Sequence, residues 1–324
     1  MCTAITYKTK NFYFGRTLDY DFSYEEQITV TPRNFSLPFR HLPEMKQHYA
    51  IIGMAYTVEG YPLYYDAVNE KGLAMAGLNF VGNAHYNSTT EGMDNVASFE
   101  FIPWLLSKCE SVCDARILLS KTNLVNTAFN EQLPPASLHW LLADKSEAIT
   151  IESTKTGLHI YDNPIGVLTN NPPFPQQLFH LNNYMQLSPS DPKNRFSSKI
   201  NLQHYSRGMG AIGLPGDLSS QSRFVRAAFT KLNSVSGNME EESVNQFFHI
   251  LSTVSQTKGC CHLEGNRYEI TIYSSCCNAN KGIYYYTTYG SHRICAVNMH
   301  KSDLDSNQLT QFPLIKNEQI LFQN

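Results

Sequence analysis

The sequence predicts an α+β layered domain. Three observations point there: aromatic and β-branched residues fall in alternating runs, two zones show helical spacing, and the helices come as pairs between runs of strands. Strict strand-helix alternation, the mark of a doubly wound parallel sheet, is absent, and no Gly-x-Gly-x-x-Gly follows a strand.

In chain order, Cys2 to Tyr7 and Phe12 to Thr17 read as a hairpin across the polar turn Lys8-Thr9-Lys10-Asn11. Further strands are predicted at Ala50 to Val58, Leu63 to Val68 and Leu73 to Phe80, where alternating apolar residues suit half-buried positions. Phe99 to Thr122 then carries apolar residues at three- and four-residue intervals, the helical spacing. Strand patterns return at Ser137 to Ala143, Ala148 to Ser153 and Leu158 to Tyr161. Asn163 to Pro175 and Met209 to Ser222 are loops by their Pro and Gly content. Helical spacing resumes over Arg223 to Val254, for example at Phe247, Ile250, Leu251 and Val254, before strands at Tyr268 to Ser274, Ile283 to Tyr289 and Arg293 to Asn298. No repeat or low-complexity linker divides the chain, so residues 1–324 are expected to form one domain.

Bulk properties exclude several function classes. The chain carries 25 Lys+Arg against 28 Asp+Glu with no basic run, which leaves a nucleic-acid groove without an electrostatic footprint. No apolar stretch reaches the roughly 18 residues that span a bilayer, and the N-terminus lacks the basic and apolar regions of a signal peptide. A cytoplasmic protein without a membrane partner is expected. The eight cysteines contain no CxxC pair, so free thiols are expected, with neither a disulfide framework nor a metal site. Cys109 and Cys113 read as small core residues, while Cys260, Cys261, Cys276, Cys277 and Cys295 suggest no role.

Chemistry concentrates at the N-terminus. Removal of Met1 would leave Cys2 with a thiol and a free α-amine, which titrates near ~8 and is able to take a proton from the nucleophile. A cysteine at position 2 is equally an accident of translation when taken alone. The predicted hairpin, however, returns Arg16 and Asp19 beside it, where a guanidinium favours thiolate and a carboxylate can orient the amine. As an isolated pair, Arg16 and Asp19 also fit a surface ion pair. The eleven histidines sit in no consistent context, so a papain-like imidazole partner is not expected, and His139 and His249 read as packed residues.

The sequence resembles the choloylglycine hydrolase family, which contains bile salt hydrolases and penicillin V acylases. The resemblance rests on Met1-Cys2-Thr3, Gly15-Arg16-x-x-Asp19, Ala76-Gly77-Leu78-Asn79-Phe80, Leu168-Thr169-Asn170-Asn171-Pro172, Gly213-Leu214-Pro215-Gly216-Asp217 and Ser222-Arg223-Phe224, in the family's order. Phe247-Phe248-His249-Ile250-Leu251 and Tyr284-Tyr285-Tyr286-Thr287-Thr288-Tyr289 extend it over nearly the whole chain.

That resemblance implies a four-layer αββα sandwich of the N-terminal-nucleophile hydrolase type, with two antiparallel sheets. It implies Cys2 as nucleophile and its amine as general base, Arg16 supporting the thiolate, and Asp19 holding the amine. Asn79 and Asn170 would form the oxyanion hole, and Arg223 would complete the cationic surroundings. Alternatives stay open: Asn170 and Asn171 before proline fit plain turn chemistry, Asn79 an edge position, Arg226 could replace Arg223, and Asp21 could replace Asp19. The Ser-Arg-Phe context and the Gly-Arg-x-x-Asp spacing favour the first choices.

A conjugated bile acid presents an apolar steroid on one side of the amide and a small anion on the other, so the expected pocket is greasy. Leu18, Tyr20, Phe22 and Tyr24 near the opening motif are candidates for it, as are Val58, Phe129, Leu133 and Leu138 by the family's steroid-contacting positions. Core packing is the competing reading for each. Smaller residues than usual in the family stand at Thr127, Ala128 and Ala136. Asn79 favours a bile salt hydrolase over a penicillin V acylase, in which Tyr is usual. A glutamine amidotransferase is the more distant alternative. Family members usually form homotetramers and use no cofactor.

Overall fold

The computed structural model describes residues 1–324 and contains two large antiparallel sheets. The first runs in the order Val167–Leu168, β1 (Cys2–Lys8), β2 (Phe12–Tyr20), Ile270–Asn278, Ile283–Thr288, Ser291–Asn298. The second runs Gly157–Asp162, Ala148–Thr154, Leu138–Ala143, Ala74–Asn79, Tyr61–Asn69, Ile51–Val58, Gln27–Thr31, Thr310–Pro313.

Alternation along the strands explains why the sheets stack. In the second sheet Ile52, Met54, Val68, Ala74, Ala76, Leu78, Leu141 and Ala143 turn inward to a core shared with Ala4 and Phe14 of the first sheet. The intervening residues Ile51, Ala67, Leu73, Met75, Trp140 and Leu142 turn the other way, onto α1 (Phe101–Lys108) and α2 (Val112–Leu119). Trp140 meets Phe101 edge-on with ring centres 4.7 Å apart. Two more helices, α4 (Ser220–Asn233) and α5 (Glu240–Ser252), pack on the first sheet through Phe224, Phe247, Ile250 and Leu251. The resulting order, helix, sheet, sheet, helix, is the expected four-layer sandwich.

Both helical zones are indeed pairs. The first is broken where Ser111 caps α2, its Oγ accepting from Asp114 N at 3.2 Å while the Asp114 carboxylate accepts from Ser111 N at 3.1 Å. Its last residue, Thr122, opens a short strand, Thr122–Val125, parallel to Asp94–Ala97. The Asn163 to Pro175 loop holds a two-residue strand, Val167–Leu168, paired with Ile5 and Ala4 of β1, and leads into α3 (Phe174–His180). That pairing carries the chain to Asn170.

The hairpin register is Cys2 opposite Leu18 and Ala4 opposite Arg16. Gly15 is required by the neighbouring strand: a Cβ there would stand 2.0 Å from the carbonyl oxygen of Ser275.

Candidate active site

Cys2 begins β1 and is 3 % exposed, at the edge of the core between the sheets. Its backbone nitrogen donates to Asn170 Oδ1 at 2.8 Å. Asn170 is held from every side. Its Nδ2 donates to the carbonyl oxygen of Asn79 at 2.8 Å, its backbone N–H donates to Ser220 Oγ at 2.8 Å, and its carbonyl accepts from Gln177 Nε2. The side chain of Asn79 makes no hydrogen bond within the protein, its backbone carbonyl being the group that meets Asn170.

Arg223, on the first turn of α4, is fully buried and clamps this assembly. Its Nη1 donates to the Cys2 carbonyl at 2.6 Å and Thr3 Oγ1 at 2.7 Å, and its Nη2 donates to Asn170 Oδ1 at 2.8 Å. Burial lowers its affinity for a proton, opposed by Asp19, 4.0 Å away, and by Cys2. Arg226, the alternative, faces elsewhere and donates to the carbonyls of Thr253 and Pro215.

Arg16, from β2, is also buried, and donates to the carbonyls of Thr17 at 3.2 Å, Tyr65 at 3.1 Å and Gly77 at 2.5 Å, which leaves Nη2 without a protein partner. Burial opposes its charge, yet coupling to the acidic groups packed around it, Asp66 and Asp19 among them, outweighs burial and keeps its affinity for a proton above the ordinary value. Behind it Asp66 accepts from the hydroxyls of Tyr273, Ser275 and Tyr284 at 2.7, 3.0 and 2.6 Å.

The Asp19 carboxylate accepts from Thr17 Oγ1 at 3.1 Å and Thr271 Oγ1 at 2.6 Å, and burial pushes its pKa up against the pull of Arg223 and the chain terminus. Asp21, its rival, pairs instead with Arg267 at 2.6 Å. The Met1 amine donates to the Asp19 carbonyl at 2.6 Å and pairs with Glu269, and the Met1 carbonyl accepts from Asp19 N at 2.9 Å. The six candidates Cys2, Arg16, Asp19, Asn79, Asn170 and Arg223 are thus brought to one place. Sequence reasoning missed Gln177, Ser220, Thr271 and Glu269, which contact them or the chain terminus; each is a polar residue with no motif around it.

The apolar candidates divide. Leu18 faces Cys2 across the hairpin, and Tyr20, Phe22, Tyr24 and Tyr56 continue from it as a run of rings with centres 4.7 to 6.0 Å apart. Phe22 is 44 % exposed. Val58, Phe129 and Leu133 gather in a separate cluster with Leu37 and Tyr61, in which Phe129 is buried against Phe99 at 5.2 Å. Leu138 stands opposite Asn79 in register and packs on the cluster that contains Trp140 and Phe101.

Residues 2–312 match the family of linear amide C–N hydrolases known as the choloylglycine hydrolase family. The bile salt hydrolase/transferase of Lactiplantibacillus plantarum is 58% identical over 97% of each chain, and that of Clostridium perfringens is 35% identical over 96% of each. Among solved structures, a mutant conjugated bile acid hydrolase from Clostridium perfringens superposes over 100% of both chains with a TM-score of 0.93 at 34% identity. Penicillin V acylase from Agrobacterium tumefaciens shares the fold, with a TM-score of 0.77 at 20% identity over 98% of this chain and 92% of its own. A family match that begins at the buried Cys2 and runs to residue 312, with a 58% identical relative over 97% of the chain, places the chain in the choloylglycine hydrolase family.

Proposed function

We propose that the chain is a bile salt hydrolase, cleaving the amide of glycine- or taurine-conjugated bile acids with Cys2 as nucleophile once Met1 has been removed. The observation that carries this is the 58% identity, over 97% of each chain, to the Lactiplantibacillus plantarum bile salt hydrolase/transferase. The geometry around Cys2 supports the same chemistry.

In this reading the Cys2 amine takes the thiol proton, sulfur attacks the acyl carbon, and the carbonyl oxygen acquires negative charge. Asn79 and the second Nδ2 hydrogen of Asn170 donate to that oxygen. Collapse of the tetrahedral intermediate breaks the C–N bond, and the amine returns the proton to the departing glycine or taurine. Water, deprotonated by the same amine, then releases the bile acid from the thioester. Arg16 keeps the thiolate charged, and Asp19 balances Arg223 and the amine. No cofactor enters this sequence. Leu18, Tyr20, Phe22 and Tyr24 form the greasy wall for the steroid; Val58, Phe129, Leu133 and Leu138 would contribute only if their clusters extend that wall.

We further propose one domain over 1–324, supported by the core that both sheets share, and a reducing cytoplasmic location, in keeping with eight free thiols. No helix is long and apolar enough to cross a membrane. A homotetramer is the proposed assembly, supported by the exposed Met185, Phe196, Tyr205 and Ile212 on one long loop and tested by light scattering.

The functional test is incubation of purified protein with glycocholate, taurocholate, penicillin V and glutamine, followed by assay of released amine or ammonia. Glycine and taurine should appear first. Release from penicillin V or glutamine alone would overturn the assignment.

A further inference from the structure

At the end of β1 remote from Cys2 lies a cavity of about 640 Å³, lined in part by Thr6, Lys8 and Gly166. Its wall carries four cations, Lys8, Arg116, Lys145 and Lys231, and three carboxylates, Asp144, Glu147 and Asp162. The carboxylates are already engaged. Arg116 donates to Glu147 at 2.8 Å and to Asp162 at 2.5 Å. Asp144 accepts from the backbone N–H groups of Val112, Ser146 and Glu147 at 2.8, 2.6 and 3.1 Å.

Lys231 has no such partner. It reaches in from the last turn of α4 and donates to the carbonyl oxygen of Ile165, its one acceptor. Burial alone pulls its ammonium down to about 8, with no carboxylate opposing the shift. The approach is built into the backbone: Gly166 has φ +60°, and a Cβ there would stand 2.7 Å from Lys231 Nζ. An ammonium has three donors, so two remain for an occupant of the cavity. Lys8 Nζ donates to the Lys145 carbonyl at 3.0 Å, and the exposed Lys8 and Lys145 both line the cavity.

A partly buried ammonium without a counter-charge is destabilised, and an anion placed against it offsets that cost. We propose that this cavity binds a small tetrahedral oxyanion, held by the Lys231 ammonium with Lys8 and Lys145 at its rim. None of the three carboxylates pairs with Lys8, Lys145 or Lys231, and the four cations of the wall outnumber them. The site is separate from Cys2 and does not depend on the amidase assignment.

Sulfate is the probe, because its charge is constant from pH 6 upward. Isothermal titration of the intact protein with sodium sulfate, against sodium chloride at equal ionic strength, should show saturable binding to one site. Lys231→Met should weaken it roughly ten-fold or more, the size of one charge-assisted hydrogen bond. In the wild type, affinity should fall as pH rises through about 8, where Lys231 loses its proton. Arg116, Asp144, Glu147, Asp162, Lys8 and Lys145 are the other charged groups facing it, and no histidine or cysteine lines the cavity. Should Lys231→Met fail to fold, the double variant Lys8→Met/Lys145→Met changes only exposed positions and should also bind sulfate more weakly. Absence of saturable binding, affinity unchanged in these variants, or affinity flat with pH would overturn the proposal.

Discussion

The backbone nitrogen of Cys2 and the side-chain oxygen of Asn170 are 2.8 Å apart, across 168 residues of sequence. Which end of the Asn170 amide faces Cys2 is fixed by its partners. Cys2 N–H and Arg223 Nη2 both donate, so both require the oxygen, while the Asn79 carbonyl requires the nitrogen. Asn170 therefore does two things in the proposed mechanism: it aims the amine that serves as base, and it keeps one N–H for the developing oxyanion.

Asn170→Ala removes both functions and leaves Arg223 Nη2 and the Cys2 nitrogen without their shared acceptor. Turnover of glycocholate should fall about 10²–10³-fold or more, as for loss of an oxyanion donor, with the circular dichroism spectrum unchanged. A folded Asn170→Ala enzyme with wild-type kcat/KM would move the role elsewhere.

Met1 masks the amine that the proposed mechanism uses as its base. While attached, it saturates the backbone N–H and C=O of Asp19 and pairs with Glu269. Its peptide bond also makes the Cys2 nitrogen an amide, whose lone pair is delocalised into the carbonyl and does not accept a proton. A form that keeps a residue ahead of Cys2 should be inactive, and intact mass measurement of active enzyme should show Met1 gone. Cys2→Ala should likewise be inactive yet folded, since only a sulfur atom leaves a small buried site. Activity in either protein would contradict the N-terminal mechanism.

Gly15→Ala tests whether the motif glycine serves the site through packing. The added methyl meets the Ser275 carbonyl, and Ser275 Oγ accepts from Arg16 N at 3.1 Å, so relief of the clash must move Arg16. A loss of about 1–3 kcal/mol in urea denaturation is expected, together with reduced kcat. Stability equal to wild type would show that the strands separate at no cost.

What was legible in the sequence was local or periodic. The opening hairpin, the inward alternation of Ala74, Ala76 and Leu78, and the paired helices follow from residue spacing, and the register of the hairpin is what sets Arg16 and Asp19 near Cys2. Less legible were short edge strands such as Thr310–Pro313, whose half-exposed residues give no clear apolar pattern. Glu269 and Gln177 were invisible because their importance lies in partners distant along the chain, and a lone polar residue carries no spacing to read. The split of the apolar candidates has a similar cause: Val58, Phe129 and Leu133 meet Tyr61 and Phe99 in a cluster of their own, and no local pattern separates such packing from a ligand wall.

Asp19 predicts opposite pH trends for stability and activity. Burial raises its folded pKa above the unfolded value of about 3.9, while Arg223 and the terminus pull it back only in part. A raised folded pKa means the native state binds the proton more tightly. The contribution of Asp19 to stability is therefore complete below the unfolded value and is lost as pH rises through the folded one. Activity should rise over the same interval, because the ionised carboxylate balances Arg223 and the Cys2 amine. Asp19→Asn stays neutral, so its denaturation midpoint should change less with pH across the mildly acidic range, and its low residual kcat/KM should lose the acid limb. Equal slopes in the two proteins, with the acid limb kept in the variant, would show that another group titrates there.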